Sequence, residues 1–196
     1  MIPKHEHIGI LGGSFNPVHT GHLMLADYIA QFTDITRVML MLSPLNPIKE
    51  NADELIEDSH RLEMLRIACD GNPRLTPCDI ELSMPRPSYT INSLNRLQEL
   101  YPDSRISLII GSDNWLMFDR WREHEQIVRR YSPVVYPRPG YPVESLTLPP
   151  EVSLVEAPTV DISSTFIRKS IREGKDMTNF LPPGVADYIR ANGLYK

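Results

Sequence analysis

His19 and His22 fall three residues apart in the stretch GILGGSFNPVHTGHLMLADYI, residues 9–29. That spacing puts both imidazoles on one face of a first helical turn. Gly12 and Gly13 precede them at the end of an apolar run, where glycine admits a positive φ and lets a ligand approach the backbone. A helix that opens after such a turn offers unpaired N–H groups and the positive end of its dipole. Gly12, Gly13, Ser14, Phe15, His19 and His22 together therefore predict a site for phosphate oxygens. A metal pair is the competing chemistry, but two histidines need further ligands and no neighbouring carboxylate supplies one, so no protein-held metal is assigned. The stretch is neither a Walker loop, GxxxxGK(S/T), nor a GxGxxG dinucleotide turn.

A second cluster lies near the other end of the chain, in ISSTFIR, residues 162–168. Hydroxyls at a helix N-terminus with an arginine one turn on can hold a triphosphate through charge-assisted hydrogen bonds. Ser163, Thr165 and Arg168 are the residues concerned. Lys49 and Arg138 are further cations that could reach a phosphate, with a solvated surface role as the alternative for each.

These residues need a frame. Apolar runs alternate with helical patterns: HIGILG, RVMLML, RISLIIG, SPVVYPRPGYP and VSLVEAP read as strands. HLMLADYIAQF, SHRLEMLRIACDG, SYTINSLNRLQELY, SSTFIRKSIREG and PPGVADYIRANG read as helices. Ser59 is the expected N-cap of the second helix, and LTPCDIEL looks extended despite Pro77. The alternation predicts an α/β fold: a Rossmann-like, doubly wound, mainly parallel sheet with helices on both faces and ligands at the carboxyl ends of its strands. With 196 residues and no repeat or clear linker, residues 1–196 read as a single domain.

Composition excludes several functions. Hydrophobic residues make up 41% and charged residues 23%, a globular balance. A net charge of -5 argues against adhesion to nucleic acid, though focused cations can still hold a small anion. No apolar run approaches the ~20 residues that span a bilayer. Cys69 and Cys78 lack metal-site spacing and fit reduced thiols, so a cytoplasmic protein is expected. A homo-oligomer is compatible with such a surface.

The stretch GGSFNPVHTGH resembles the GG(T/S)F(D/N)PxHxGH signature of the nucleotidylyltransferases, and ISSTFIR resembles their second signature. PSYTINSL, LIIGSDNWLMFDRW, PRPGYP and LPPGVADYIRANGLYK extend the resemblance over nearly the whole chain, to the bacterial nicotinate-mononucleotide adenylyltransferase family. The resemblance implies that His19, His22 and Arg168 are catalytic and that Asn16, Lys49, Thr90, Asp113, Trp121 and Arg138 lie on the substrate side. Trp121 would stack on the pyridine ring, Asp113 would meet ribose hydroxyls, and Thr90 would line the same site. Asn16 replaces the commoner aspartate, and Ile48 stands where a histidine is usual.

The implied reaction joins ATP, with Mg2+, to nicotinate mononucleotide, releasing pyrophosphate and forming deamido-NAD. The substrate's phosphate is already largely dianionic at neutral pH, its second pKa being roughly 6, so no general base is needed. Nicotinamide mononucleotide, pantetheine phosphate and glycerol phosphate are rival acceptors on the same fold. A non-catalytic nucleotide sensor is a rival of another class, against which the intact His19, His22 and Arg168 argue. A tRNA-charging fragment fits poorly with the chain's length and charge.

Overall fold

The computed structural model describes residues 6–44, 55–143 and 147–196. Its strands are β1 (His7–Gly13), β2 (Arg37–Leu42), β3 (Leu75–Cys78), β4 (Arg105–Gly111), β5 (Val134–Tyr136) and β6 (Ser153–Leu154). They form one sheet in the order β3-β2-β1-β4-β5-β6, every neighbouring pair parallel. The helices are α1 (Thr20–Phe32), α2 (Asp58–Cys69), α3 (Thr90–Leu100), α4 (Ser112–Trp115), α5 (His124–Tyr131), α6 (Ser164–Arg172) and α7 (Val185–Ala191). The doubly wound sheet expected from the alternation of patterns is the observed architecture.

A parallel sheet covered on both faces needs strands that are apolar on both sides, which is why RVMLML shows no polar alternation. Val38, Leu40 and Leu42 of β2 enter one core layer, while Met39 and Met41 enter the other. The first layer is closed by Ala26 and Ile29 of α1, Leu65 of α2, Ile167 of α6 and Val185 and Ile189 of α7. The second is closed by Ile91, Leu94 and Leu97 of α3 and Ile127 and Tyr131 of α5. Each such side chain contributes roughly 2 kcal/mol by leaving water. Gly9 sits mid-strand because a Cβ there would come within 2.6 Å of Ile109 Cδ1 on β4.

Several local expectations are corrected. Helix α2 begins at Asp58 with Glu57 as N-cap, and Ser59 lies inside the helix, donating to Glu57 Oε2 at 3.3 Å. Of LTPCDIEL only LTPC is extended and pairs, at the sheet edge, where Pro77 opposes Leu40; Ile80–Ser83 coils into a 3-10 helix. Only three residues of SPVVYPRPGYP form β5, and the remainder turns back through an Arg138–Tyr141 bridge. Helix α5 was not anticipated, because only Ile127 and Tyr131 of its eight residues are buried.

The topology selects one crevice. From β1 the chain first winds outward to β2 and β3, then returns to place β4 on the other side of β1. Strand order therefore reverses between β1 and β4, and ligands of such sheets bind beyond the carboxyl ends of those two strands. Gly12 and Gly13 end β1, and Gly111 ends β4.

Candidate active site

The turn from β1 into α1 is built around two ring systems. Phe15 takes a left-handed φ of 42° and buries its ring under the turn. A Cβ at Gly13 would stand 3.0 Å from that ring, so a side chain there would require the aromatic to give by a few tenths of an ångström. His19 occupies the N-cap position of α1 in extended conformation, φ -140° and ψ 169°. Its backbone N–H donates to His22 Nδ1 at 3.2 Å. An imidazole that accepts at Nδ1 carries its remaining proton on Nε2, which makes His22 a donor through that atom.

The two imidazoles stack, with centroids 3.6 Å apart and planes at 26°, and Phe15 meets His22 edge-on at 5.0 Å. Gly21 explains the spacing of HTGH: a Cβ there would lie 3.1 Å from His19 Nδ1. His19 is only 4% exposed, and burial together with the positive charge of Arg138 lowers its pKa to about 4. It is neutral at pH 7. Its Nδ1 has no hydrogen-bond partner among the described residues.

Helix α6 brings the second cluster to the same turn. Ser163 caps α6 by accepting from the Phe166 N–H at 3.1 Å. Ser164 Oγ donates to the Pro17 carbonyl at 2.9 Å, and Arg168 Nη1 donates to the Asn16 carbonyl at 3.0 Å. Arg168 Nη2 reaches Thr165 Oγ1 at 3.4 Å. The N-termini of α1 and α6 are thus strapped side by side, each with its positive dipole end and unpaired N–H groups beside the β1 turn.

A cavity of about 280 Å³ opens at the switch point. Gly12, Gly13, Ser14, Thr90, Trp121 and Arg122 are among the residues that line it. Trp121 leans on Phe118 at 5.4 Å, and its indole Nε1–H is buried with no partner among the described residues. Trp115 stacks on Phe118 at 4.7 Å and does not line the cavity, which separates the two tryptophans. Thr90 is the first residue of α3 and also lines the cavity.

Three expected substrate residues sit differently. Asn16 is 2% exposed, and its Oδ1 accepts from Tyr195 Oη at 3.0 Å; the amide oxygen anchors the turn to the C-terminal segment instead of facing the cavity. Asp113 pairs with Arg138 at 3.7 Å just beyond β4, and neither lines the cavity wall. Gly111 makes room for that pair, since a Cβ there would come within 2.9 Å of Arg138 Cγ. Lys49 lies outside the described residues.

Two buried charges hold the frame and were not anticipated. Arg61, 0% exposed, donates to the Ser14 carbonyl at 2.6 Å, the Ser43 carbonyl at 2.9 Å and the Ile56 carbonyl at 3.2 Å, and pairs with Asp58. It ties the phosphate turn to the end of β2. Glu81, 2% exposed, accepts from Ser43 at 2.7 Å, Ser88 at 3.0 Å and Ser93 at 2.6 Å. It ties the end of β2 to the segment that leads into Thr90.

Comparison with known proteins identifies the family. Residues 10–170 match the model of the family described as cytidylyltransferase-like, and the chain belongs to that family. A relative from Bacteroides fragilis named "Probable nicotinate-nucleotide adenylyltransferase" is 50% identical over 177 residues, covering 90% of this chain and 88% of its own. A relative of the same name from Bacteroides thetaiotaomicron is 48% identical, covering 93% and 90%. Within the family, the chain thus falls among the nicotinate-nucleotide adenylyltransferases. The fold is shared with Plasmodium falciparum nicotinic acid mononucleotide adenylyltransferase complexed with NaAD, at TM-score 0.77 and 24% identity, covering 97% of this chain and 98% of that one.

Proposed function

We infer that the chain transfers the adenylyl group of ATP to nicotinate mononucleotide, yielding deamido-NAD and pyrophosphate. The observation that carries this reading is the meeting of the two motifs: Arg168 and Ser164 bind the carbonyls of Asn16 and Pro17, in the same turn whose Gly12, Gly13 and Ser14 line a cavity together with Trp121 and Thr90.

An oxygen of the mononucleotide's phosphate attacks the α-phosphorus of ATP in line. One P–O bond forms, the bond from the α-phosphorus to the bridging oxygen breaks, and pyrophosphate leaves with that electron pair. The attacking phosphate needs no base, so the protein's work is positioning and charge stabilisation. His22, donating from Nε2, and His19 hold the α- and β-phosphates. Backbone N–H groups of the Gly12–Phe15 turn approach the same oxygens. Ser163, Thr165 and Arg168 hold the β- and γ-phosphates and then the leaving group. Trp121 receives the pyridine ring on its face, Asp113 meets the ribose hydroxyls beyond β4, and its partner Arg138 offers a cation to a phosphate oxygen.

The donor set of this site is imidazole, guanidinium, hydroxyl and backbone N–H. Such groups suit phosphate oxygens and not Mg2+, which takes oxygen ligands. The ion therefore enters with ATP as part of that substrate, neutralising charge on the triphosphate. Residues 1–196 act as one catalytic domain in the cytoplasm on this reading. Among the described residues no helix is long and apolar enough to cross a membrane.

The test is pyrophosphate release from ATP and Mg2+ with nicotinate mononucleotide, nicotinamide mononucleotide or no acceptor. Release that depends on the acid supports the reading. Release only with pantetheine phosphate or glycerol phosphate replaces it, and ATP binding without release with any acceptor makes the chain a sensor.

A further inference from the structure

We propose that Ser112 is a positioning residue for Arg138: its hydroxyl pins the turn that carries this cation to the end of β4. This deepens the adenylyl-transfer reading above and rests on it, since that reading gives Arg138 a phosphate oxygen to meet. A long, flexible side chain binds well there only when its backbone is already fixed. Otherwise its ordering is charged against binding.

Residues 138–141 read Arg-Pro-Gly-Tyr. Pro139 presets φ at the second place of a tight turn, and Gly140 supplies at the third the left-handed φ, 82°, that a type II turn needs. The Tyr141 N–H closes the turn on the Arg138 carbonyl at 3.0 Å. The Arg138 N–H and the Tyr141 carbonyl are then left to pair elsewhere, and Ser112 Oγ takes both. It accepts from the Arg138 N–H at 2.9 Å and donates to the Tyr141 carbonyl at 2.8 Å. Ser112 directly follows β4 and is 0% exposed. The position calls for one short side chain that both accepts and donates, which a hydroxyl does and an alanine or an ionised aspartate does not. Gly111 leaves room for Arg138 Cγ on one side, and Asp113 faces the guanidinium at 3.7 Å on the other. Three consecutive residues thus seat one arginine.

The ion pair with Asp113 does not do this work alone. The two side chains are 43% and 28% exposed, and a pair at 3.7 Å in such a setting contributes little. It also holds the tip of the arginine and not its backbone. Strand pairing does not reach far enough either: β5 meets β4 as far as Gly111 opposite Tyr136, two residues short of Arg138. Ser112 extends that attachment past the end of both strands. The charge placed there acts on the phosphate side of the site, since Arg138 helps to lower the pKa of His19 and does not line the ring cavity.

The experiment is a double-mutant cycle of S112A with R138M, accompanied by S112C and S112T. It measures kcat and KM for nicotinate mononucleotide and for ATP, with a melting curve for each variant. S112C fills the site but hydrogen-bonds weakly, so the hydroxyl is tested even when the alanine variant is too unstable to assay. S112A and S112C are expected to lower kcat/KM for the mononucleotide about fivefold, the scale of one lost hydrogen bond, with KM for ATP near wild type. S112T keeps the hydroxyl and should recover most of the loss. In the R138M background neither S112A nor S112C should cost anything further, because the side chain that Ser112 positions is gone. A loss of the same size in that background, or wild-type kcat/KM in folded S112A or S112C, would overturn the proposal. Wild-type protein that leaves nicotinate mononucleotide unused would instead overturn the adenylyl-transfer reading, a result visible before any variant is made.

Discussion

Arg168 Nη1 donates to the main-chain carbonyl of Asn16 at 3.0 Å, joining residues 152 positions apart. This bond makes one site of two motifs. Asn16 belongs to the turn that carries His19 and His22, and Arg168 belongs to the helix whose N-terminus bears Ser163 and Thr165. The same carbonyl-to-guanidinium logic recurs at Arg61, which donates to the Ser14 carbonyl of that turn at 2.6 Å. The phosphate turn is thus held by two buried arginines.

His22 is tautomerically fixed by the His19 N–H, so its Nε2–H is a preorganised donor. His22→Ala should lower kcat about 100-fold or more, the usual cost of removing such a donor, while leaving thermal unfolding within a few degrees of wild type. Steady-state rates and a melting curve check this. Normal turnover by the folded variant would remove His22 from the mechanism.

Arg61→Met should be among the most destabilising single changes in the chain. It strands the Ser14, Ser43 and Ile56 carbonyls and leaves Asp58 with Arg86 alone, which donates to it at 2.7 Å. Each buried carbonyl left without its donor costs about 1–3 kcal/mol. Urea unfolding at pH 7 measures it, and a shift below 1 kcal/mol would mean the network carries little.

How much of this was legible beforehand follows from where each residue's partners lie. HTGH and ISSTFIR could be read because their chemistry is local: histidines on one turn, hydroxyls at a helix start. The sheet could be read because strands buried on both faces are continuous apolar runs. Arg61 and Glu81 could not, since their meaning lies in Ser14, Ser43, Ser88 and Ser93, residues from other segments. Arg61 did leave a trace, for it occupies the same buried stripe of α2 as Leu65 and Ala68, where a charge has no place without partners. The motif resemblance places Asn16 on the substrate side, whereas the bond to Tyr195 that fixes its amide comes from 179 positions away.

His19 makes stability depend on pH. The unfolded chain binds a proton near pH 6.5, while the folded protein holds His19 down to about 4. The unfolded state therefore takes up more protons in that window, so stability rises with pH from 4 to 6.5, is complete above it and is lost as pH falls. The contribution is up to about 3 kcal/mol. Urea midpoints at pH 7 and pH 5 should separate more for wild type than for His19→Asn. The same separation in both proteins would assign the pH dependence to other groups.

The two thiols should be inert in the native state. Burial raises the Cys69 pKa to about 11 and pushes Cys78 upward as well. Thiolate is the reactive form, so alkylation by iodoacetamide at pH 7.5 should be slow until denaturant is added. Mass spectrometry of the alkylated peptides reads this directly, and rapid native labelling of either cysteine would contradict the burial.

Trp121→Ala should raise KM for the pyridine nucleotide while KM for ATP stays close to wild type, because the indole lines the cavity but belongs to neither the glycine turn nor α6. Trp115→Ala, which removes a stack on Phe118, should act mainly on stability. Initial-rate measurements varying each substrate in turn distinguish the two tryptophans. Equal effects on both substrates from Trp121→Ala would argue against its place at the pyridine ring.

The most direct test of the whole account uses ATP labelled at its α-phosphate, with Mg2+ and nicotinate mononucleotide, followed by separation of the products. Label appearing in a dinucleotide of deamido-NAD mass, with one pyrophosphate released for each, is the expected result. Label remaining in ATP, or passing to ADP or free AMP with no dinucleotide formed, would contradict adenylyl transfer at this site.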